Sequence, residues 1–110
     1  MGTDPIGPVL AALADPTRRH VVETILREGS TTVPALTSTL PITRQAVAKH
    51  LATLDAAGLV ERAPGRAREV RYRLRPGAIA PAARWLGDTA EAWDRRLGRL
   101  KDAVERRPAG

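Results

Sequence analysis

The sequence predicts a mainly α-helical domain that carries one small two-stranded β-hairpin, with four helices before the hairpin and one after it. Three observations support this fold class. Residues 33–58 contain two short apolar segments with helical spacing, separated by a Pro-Ile turn. Residues 59–75 include an alternation of apolar residues and arginine, and residues 78–106 carry an apolar heptad repeat. A length of 110 residues fits one domain spanning 1–110.

The N-terminal part predicts two helices. The first covers about 5–14, where apolar residues share one helical face: Ile6, Val9, Leu10 and Leu13. The second covers about 16–28, because Asp15 is a favourable N-cap and Pro16 suits the first helical position. Gly29 is placed to end this helix in a left-handed conformation. The residues expected to face inward are Val21, Val22, Ile25 and Leu26.

The middle of the chain predicts a helix-turn-helix over about 33–58. Thr31 or Thr32 caps its first helix, which has Pro34 in the first turn. Pro41-Ile42 forms the turn, and Thr43 caps the second helix, which ends at Gly58. The inward residues are Val33, Leu36 and Leu40 in the first helix and Val47, Leu51 and Leu54 in the second. Such a motif places its second helix in the DNA major groove.

A basic β-hairpin, the wing, is predicted over about 59–75, directly after the helix-turn-helix. Its strands are 59–63 and 69–75, and Pro64-Gly65 supplies the turn. In the second strand the apolar residues Val70, Tyr72 and Leu74 alternate with Arg71, Arg73 and Arg75. A recognition helix followed by a basic hairpin indicates a winged helix-turn-helix.

Positive charge is concentrated in this same region. The net charge is +6 and the sequence pI is about 11.2, as expected of a nucleic-acid binder. Residues 43–75 hold eight Lys and Arg against three acidic residues, which accounts for +5 of the net +6. A patch of this kind beside a helix-turn-helix indicates more than solubility.

The predicted DNA-contacting residues lie in the recognition helix and at the wing tip. The first turn of the recognition helix usually reaches base edges, and here it holds Thr43, Arg44, Gln45 and Ala46. Arg pairs with guanine, Gln with adenine, and Ala contacts a thymine methyl. Lys49 and His50 are expected to reach phosphates. At the wing tip, Arg66 and Arg68 are expected to enter the minor groove or to bind phosphates. The alternative for these charged residues is an ordinary solvated face.

The last helix, about 78–106, carries an apolar seam with alternating spacings of four and three residues: Ile79, Ala83, Leu86, Ala90, Trp93, Leu97, Leu100 and Val104. A helix of this length measures roughly 40 Å, longer than a domain of about 30 Å. One protomer cannot cover the whole seam, so we expect a homodimer. The alternative is that the seam packs on its own domain.

Several functions find no support in the sequence. There is no cysteine, so disulfides and thiolate metal sites are excluded. His20 and His50 lack carboxylates at ligand spacing, and we expect no metal or other cofactor. No catalytic constellation, secretion signal or membrane-length segment is present, so we expect a cytoplasmic protein that is not an enzyme. Trp85 and Trp93 pack at the dimer seam or, alternatively, wall a small-molecule pocket.

The chain resembles the ArsR-type (ArsR/SmtB-like) family of bacterial winged-helix repressors. The resemblance is carried by ALADPTRRHVVETI (12–25), LPITRQAVAKHLATLDAAGLV (40–60) and GRAREVRYRL (65–74). It implies a homodimer through the first and last helices, with an interface that includes Leu10, Leu86, Trp93, Leu97 and Leu100. It also implies DNA contacts from the recognition-helix and wing residues named above, and repression of a nearby operon.

The sequence also departs from that family. Many members have Ser where this chain has Ala48, so one hydroxyl contact is missing. Metal-sensing members have a cysteine pair where this chain has residues 34–37, and the segment 83–101 looks like the metal-independent subset. We therefore expect a dimeric, sequence-specific (auto)repressor that binds a double-stranded DNA operator, with an unknown small-molecule effector possible. The alternatives are a non-specific or architectural nucleic-acid binder and a ligand- or protein-binding winged-helix module.

Overall fold

The computed structural model describes residues 4–106 and confirms the predicted fold class and element order. Residues 1–3 and 107–110 of the predicted domain lie outside the described residues. The elements are α1 (Gly7–Leu13), α2 (Pro16–Glu28), α3 (Val33–Thr39), α4 (Arg44–Ala56), β1 (Val60–Pro64), β2 (Val70–Leu74) and α5 (Ala80–Glu105). The predicted boundaries differ from these by no more than two residues, except at the turn of the hairpin.

Helix α2 begins and ends as the sequence predicts, but one of its residues faces the other way. The Asp15 carboxylate accepts a hydrogen bond from the Arg18 backbone N–H at 2.9 Å, and Gly29 follows the helix with φ of +86°. Val21, Val22 and Ile25 are buried. The inward placement of Leu26 is wrong, because its side chain is 63% exposed. Within residues 4–106, no neighbouring element buries the side of α2 on which Leu26 lies.

The helix-turn-helix is built by two threonine caps. Thr32 Oγ1 accepts from the Ala35 backbone N–H, and Thr43 Oγ1 accepts from the Ala46 backbone N–H, both at 3.1 Å. Of the two candidate caps for α3, Thr32 is therefore the one used. Thr31 instead pairs its backbone with Tyr72 of β2 as an isolated bridge. This bridge ties the start of α3 to the hairpin.

The core is aliphatic and lies among α1–α4 and the base of the hairpin. Its largest fully buried side chains are Val21, Ile25, Leu36, Val47, Leu51, Leu54, Leu59 and Val60. The inward stripe predicted for α4 is confirmed, since all three of its members are buried. Each is surrounded by other aliphatic side chains, which is where most of the favourable free energy of folding arises. The core fixes α4 against α2, α3 and β1.

The two strands are antiparallel, and their register runs from Val60 opposite Leu74 to Pro64 opposite Val70. The predicted turn at Pro64-Gly65 is wrong, because Pro64 is the last residue of β1 and the chain turns within 65–69. A proline is tolerated at the end of an edge strand, where its missing N–H removes no necessary ladder bond. The loop instead reverses at Ala67, which has φ of +55°.

Helix α5 extends away from the rest of the fold. Within it only Ala82 is buried. The described residues span 76 × 36 × 23 Å with a radius of gyration of 19.9 Å, against about 13 Å for a compact chain of this length. None of the helices within residues 4–106 has the length and apolar character that crossing a membrane requires.

Candidate nucleic-acid interface

Helix α4 presents a buried face to the core and a polar face to solvent. Its buried stripe consists of Val47, Leu51 and Leu54. Thr43, Arg44 and Gln45, at the cap and in the first turn, are exposed, and Lys49 is exposed further along. Ala46 and His50 are half-buried at the border between the two faces. The structure thus brings the six predicted residues of this helix onto one surface and its borders.

His50 makes contacts that the sequence does not reveal. Its Nδ1 lies 3.4 Å from Arg18 Nη1 and 4.0 Å from Asp15 Oδ2. Arg18 also donates through Nε to the carbonyl oxygen of Ala12, at the end of α1, at 2.6 Å. This arginine therefore connects α1 to α4. Because 32 residues separate Arg18 from His50 in the chain, no local signal could have identified the contact.

The Asp15 carboxylate at this junction has a lowered pKa. The main cause is the hydrogen bond from the Arg18 backbone N–H, and the nearby Arg18 and His50 side chains act in the same direction. Together these interactions exceed the opposing effect of partial burial, so the carboxylate is charged at neutral pH. The start of α2 thus places a negative charge beside the half-buried His50 of α4.

The wing tip presents two further predicted residues, Arg66 and Arg68, on the loop between the strands, and both are exposed. Gly65 begins this loop at a close approach, since a Cβ there would lie 2.6 Å from the carbonyl oxygen of Glu69. A larger residue at this position would push the two sides of the loop apart. The tip is therefore a tight turn that holds both arginines in solvent.

Three other arginines of the hairpin, Arg71, Arg73 and Arg75, differ from those at the tip because each lies beside a carboxylate. Arg73 Nε donates to Glu61 Oε2 at 2.8 Å, and Arg75 Nε lies 3.9 Å from Glu61 Oε1. Arg71 donates to Glu69 Oε1 and to Ser30 Oγ, each at 2.8 Å. The net positive charge of this segment is thus carried by the wing tip, by Arg62 of β1 and by α4.

The structure also bears on the metal, histidine and tryptophan sites considered from the sequence. No group of three or more His, Asp or Glu side chains that could hold a metal occurs within residues 4–106. His20 lies on the rim of a polar cleft of about 520 Å³ between α2, α3 and β2. Trp85 and Trp93 are both exposed on α5, and Trp93 borders a shallow, open surface hollow on this helix with Leu97 and Leu100.

The comparisons with known proteins agree with this geometry. A family profile described as a helix-turn-helix domain matches residues 13–63. The structure superposes on an ArsR-like transcriptional regulator from Rhodococcus sp. RHA1 with a TM-score of 0.75 and 38% sequence identity, covering 94% of this chain and 95% of that one. The chain belongs to the ArsR family of winged helix-turn-helix transcriptional regulators.

Two curated relatives in the same family match part of the chain. One is the HTH-type transcriptional regulator Rv2034 of Mycobacterium tuberculosis, 45% identical over 69 residues, which are 63% of this chain and 63% of the relative. The other is the arsenic resistance transcriptional regulator ArsR1 of Pseudomonas putida, 41% identical over 75 residues, or 67% of this chain and 56% of the relative. The chain thus matches less than two thirds of either curated relative. Both relatives, like the Rhodococcus structure, are named as transcriptional regulators.

Proposed function

We propose that this protein is a homodimeric, sequence-specific repressor that binds a double-stranded DNA operator and acts in the cytoplasm without metal sensing. It acts by binding and not by catalysis. The observation that carries the proposal is the exposed polar face of α4, which stands on a core that fixes the helix. The exposed wing-tip arginines, which form no salt bridge within residues 4–106, add positive charge beside this helix.

The first turn of α4 supplies the groups for base recognition. The exposed side chains of Arg44 and Gln45 match guanine and adenine, respectively, in the major groove. The Thr43 hydroxyl accepts a hydrogen bond as the cap, so its own O–H remains free to donate to a phosphate. Ala46 lies at the edge of this surface, where its methyl group suits a thymine methyl.

Phosphate contacts come from the second turn of α4 and from the wing. Lys49 is exposed and carries a compact positive charge. Nδ1 of His50 is turned toward Arg18 and Asp15, which leaves Nε2 for the DNA backbone. Arg66 and Arg68 at the tip bind the minor groove or the adjacent phosphates.

The dimer is supported by the uncovered apolar face of α5. Counting 100° per residue, this face is the same one that buries Ala82 at the start of the helix. Beyond Ala82 its large members are 46–63% exposed, namely Leu86, Trp93, Leu97, Leu100 and Val104. A heptad face matches a second copy of itself about a two-fold axis. Leu10 on α1 is half-buried against its own core, and its exposed part joins this interface.

The same two-fold axis determines the symmetry and the half-site spacing of the operator. Two copies of α4 enter successive major grooves about 34 Å apart, so the operator is an imperfect palindrome. Regulation does not use thiolate ligands, since the chain has no cysteine. A small-molecule effector would act by changing how the two protomers are positioned relative to each other.

The test measures binding of the purified protein to the DNA upstream of its own gene and to a scrambled duplex, at two salt concentrations. We expect tight binding to the first and weak binding to the second, with affinity falling steeply as salt rises. Arg44→Ala or Gln45→Ala should reduce discrimination at one base position by about 1–3 kcal/mol, whereas Lys49→Ala should weaken both duplexes alike.

The same experiment separates the alternatives. Equal affinity for both duplexes at physiological salt would identify a non-specific or architectural binder. A flat salt response would identify a module that has lost DNA binding. A reporter gene placed behind the bound sequence would rise on deletion of the protein if it represses and fall if it activates.

A further inference from the structure

A groove of about 460 Å³ separates the start of α3 from one face of the wing. Its floor is apolar, with Val33 and Pro34 on the α3 side and Val70 and Tyr72 on the wing side. Arg62 and Arg68 also line it, and of the two only Arg68 is a predicted DNA contact. An apolar floor beside two guanidinium groups suits a partner that presents both apolar and anionic groups.

The two faces of the hairpin explain why the groove is open. The strand register puts Arg62, Val70 and Tyr72 on one face and Glu61, Arg71 and Arg73 on the other. At the base of the first face Val60 is buried in the core, but toward the tip Val70 is 46% exposed. The outer half of this face therefore has no cover within the part of the chain that the structure describes.

The charges of the two faces also differ. On the opposite face Arg73 is paired with Glu61 and Arg71 with Glu69. Arg62 and Arg68 form no salt bridge among residues 4–106. Glu69 is the one carboxylate that lines the groove, and Arg71 already neutralises it at 2.8 Å. The groove as a whole is thus positive.

We propose that this groove seats the sugar–phosphate backbone of the operator, with Arg62 as a DNA contact in addition to the wing tip. The inference rests on the proposed function. The guanidinium groups of Arg62 and Arg68 bind phosphate oxygens, a geometry for which arginine is well suited. Val70 and Tyr72 pack against the deoxyribose between those phosphates. We favour DNA as the partner because Arg68, a proposed DNA contact at the wing tip, also lines the groove.

A matched pair of substitutions on the two faces tests the proposal. Arg62→Gln and Arg73→Gln remove the same charge from the same hairpin, so long-range electrostatic effects are equal. We expect Arg62→Gln to lower the slope of log affinity against log salt by about one and to weaken operator and scrambled DNA alike, by about three- to tenfold. Arg73→Gln should leave the slope unchanged, and Arg62→Lys should restore most of it.

The measurement is fluorescence anisotropy of both duplexes across a series of KCl concentrations, with circular dichroism to show that the variants fold. Equal slopes for the two Gln variants, or a wild-type slope in Arg62→Gln, would overturn the proposal. If the wild type selects the operator but Arg62→Gln changes nothing, the groove proposal fails and the repressor proposal stands. If the wild type binds both duplexes equally but Arg62→Gln still lowers the slope, the groove proposal stands and the proposal of a sequence-specific repressor fails.

Discussion

The body of the domain and helix α5 both carry apolar residues at helical spacing, yet they bury these residues to opposite extents. In the body, Leu36, Leu51 and Leu54 are no more than 1% exposed. In α5, Leu86 and Leu100 are 50% and 61% exposed, although their heptad spacing is stricter. Periodicity therefore predicts which face of a helix is apolar, but it says nothing about whether the partner for that face lies in the same chain.

The contrast has a structural cause at the start of α5. Ala82 packs on the core, and the helix then continues for more than twenty residues past the last element it could contact. The core of the body is buried within one protomer, whereas the apolar face of α5 beyond Ala82 is exposed among residues 4–106, which is the basis of the proposed dimer. Four changes test this difference, from the largest expected effect to the smallest.

The largest effect should follow Leu54→Ala in the body. The side chain is fully buried, so the substitution removes apolar contacts and leaves a cavity. We expect the free energy of unfolding to fall by about 2–5 kcal/mol, measured by urea denaturation. Leu26→Ala is the control, because its exposed side chain should change stability by less than about 0.5 kcal/mol. Equal losses in the two variants would contradict the assignment of the core.

A smaller effect should follow Leu97→Ala on the α5 seam. Because a symmetric dimer carries the change twice, we expect dimerisation to weaken by about 2 kcal/mol, with little change in the fold of the monomer. Sedimentation equilibrium measures the dimer dissociation constant directly. Glu91→Ala, on the roughly opposite side of α5, is the control. A wild type that stays monomeric over the same range of concentrations would contradict the seam as an interface.

Glycine substitutions in α5 should raise stability. Gly98 lies inside a long helix, and a Cβ there would have no atom within 4 Å. Gly98→Ala should therefore stabilise the protein by about 0.5–1 kcal/mol through helix propensity, measured by thermal unfolding. Gly29→Ala should have the opposite sign, because Gly29 has φ of +86°. A Gly98→Ala variant that no longer dimerises would instead show that this face meets the partner helix.

The smallest effect concerns the pH dependence of the body. The folded state lowers the pKa of Asp15, so its charge contributes stability above the unfolded pKa of about 3.9. That contribution is lost as the pH falls through the lower folded pKa. Asn is also a good N-cap, so Asp15→Asn should melt below the wild type at pH 7 and approach it below about pH 4. A constant difference in melting temperature between pH 7 and pH 3 would contradict this interpretation.

Much of the fold was predictable because its signals are local. Asp15 and Thr43 each cap a helix by accepting a bond from a backbone N–H three residues on, and Gly29 ends α2 as expected. The stripe of α4 and the alternation of β2 depend only on helical and extended periodicity. The exposed first turn of α4, which forms the centre of the candidate site, follows from that same stripe.

The sequence by itself thus determined the elements, their order, the caps of α2 and α4 and the polar face of α4, because each depends on residues a few positions apart. Only the tertiary structure decided which apolar and charged side chains find partners. Leu26 and Val70 are exposed, Arg73 is paired with Glu61 while Arg62 lines an open groove, and Arg18 reaches His50. The physical reason is that burial and ion pairing depend on which elements meet in space, and that is set by the packing of the whole core.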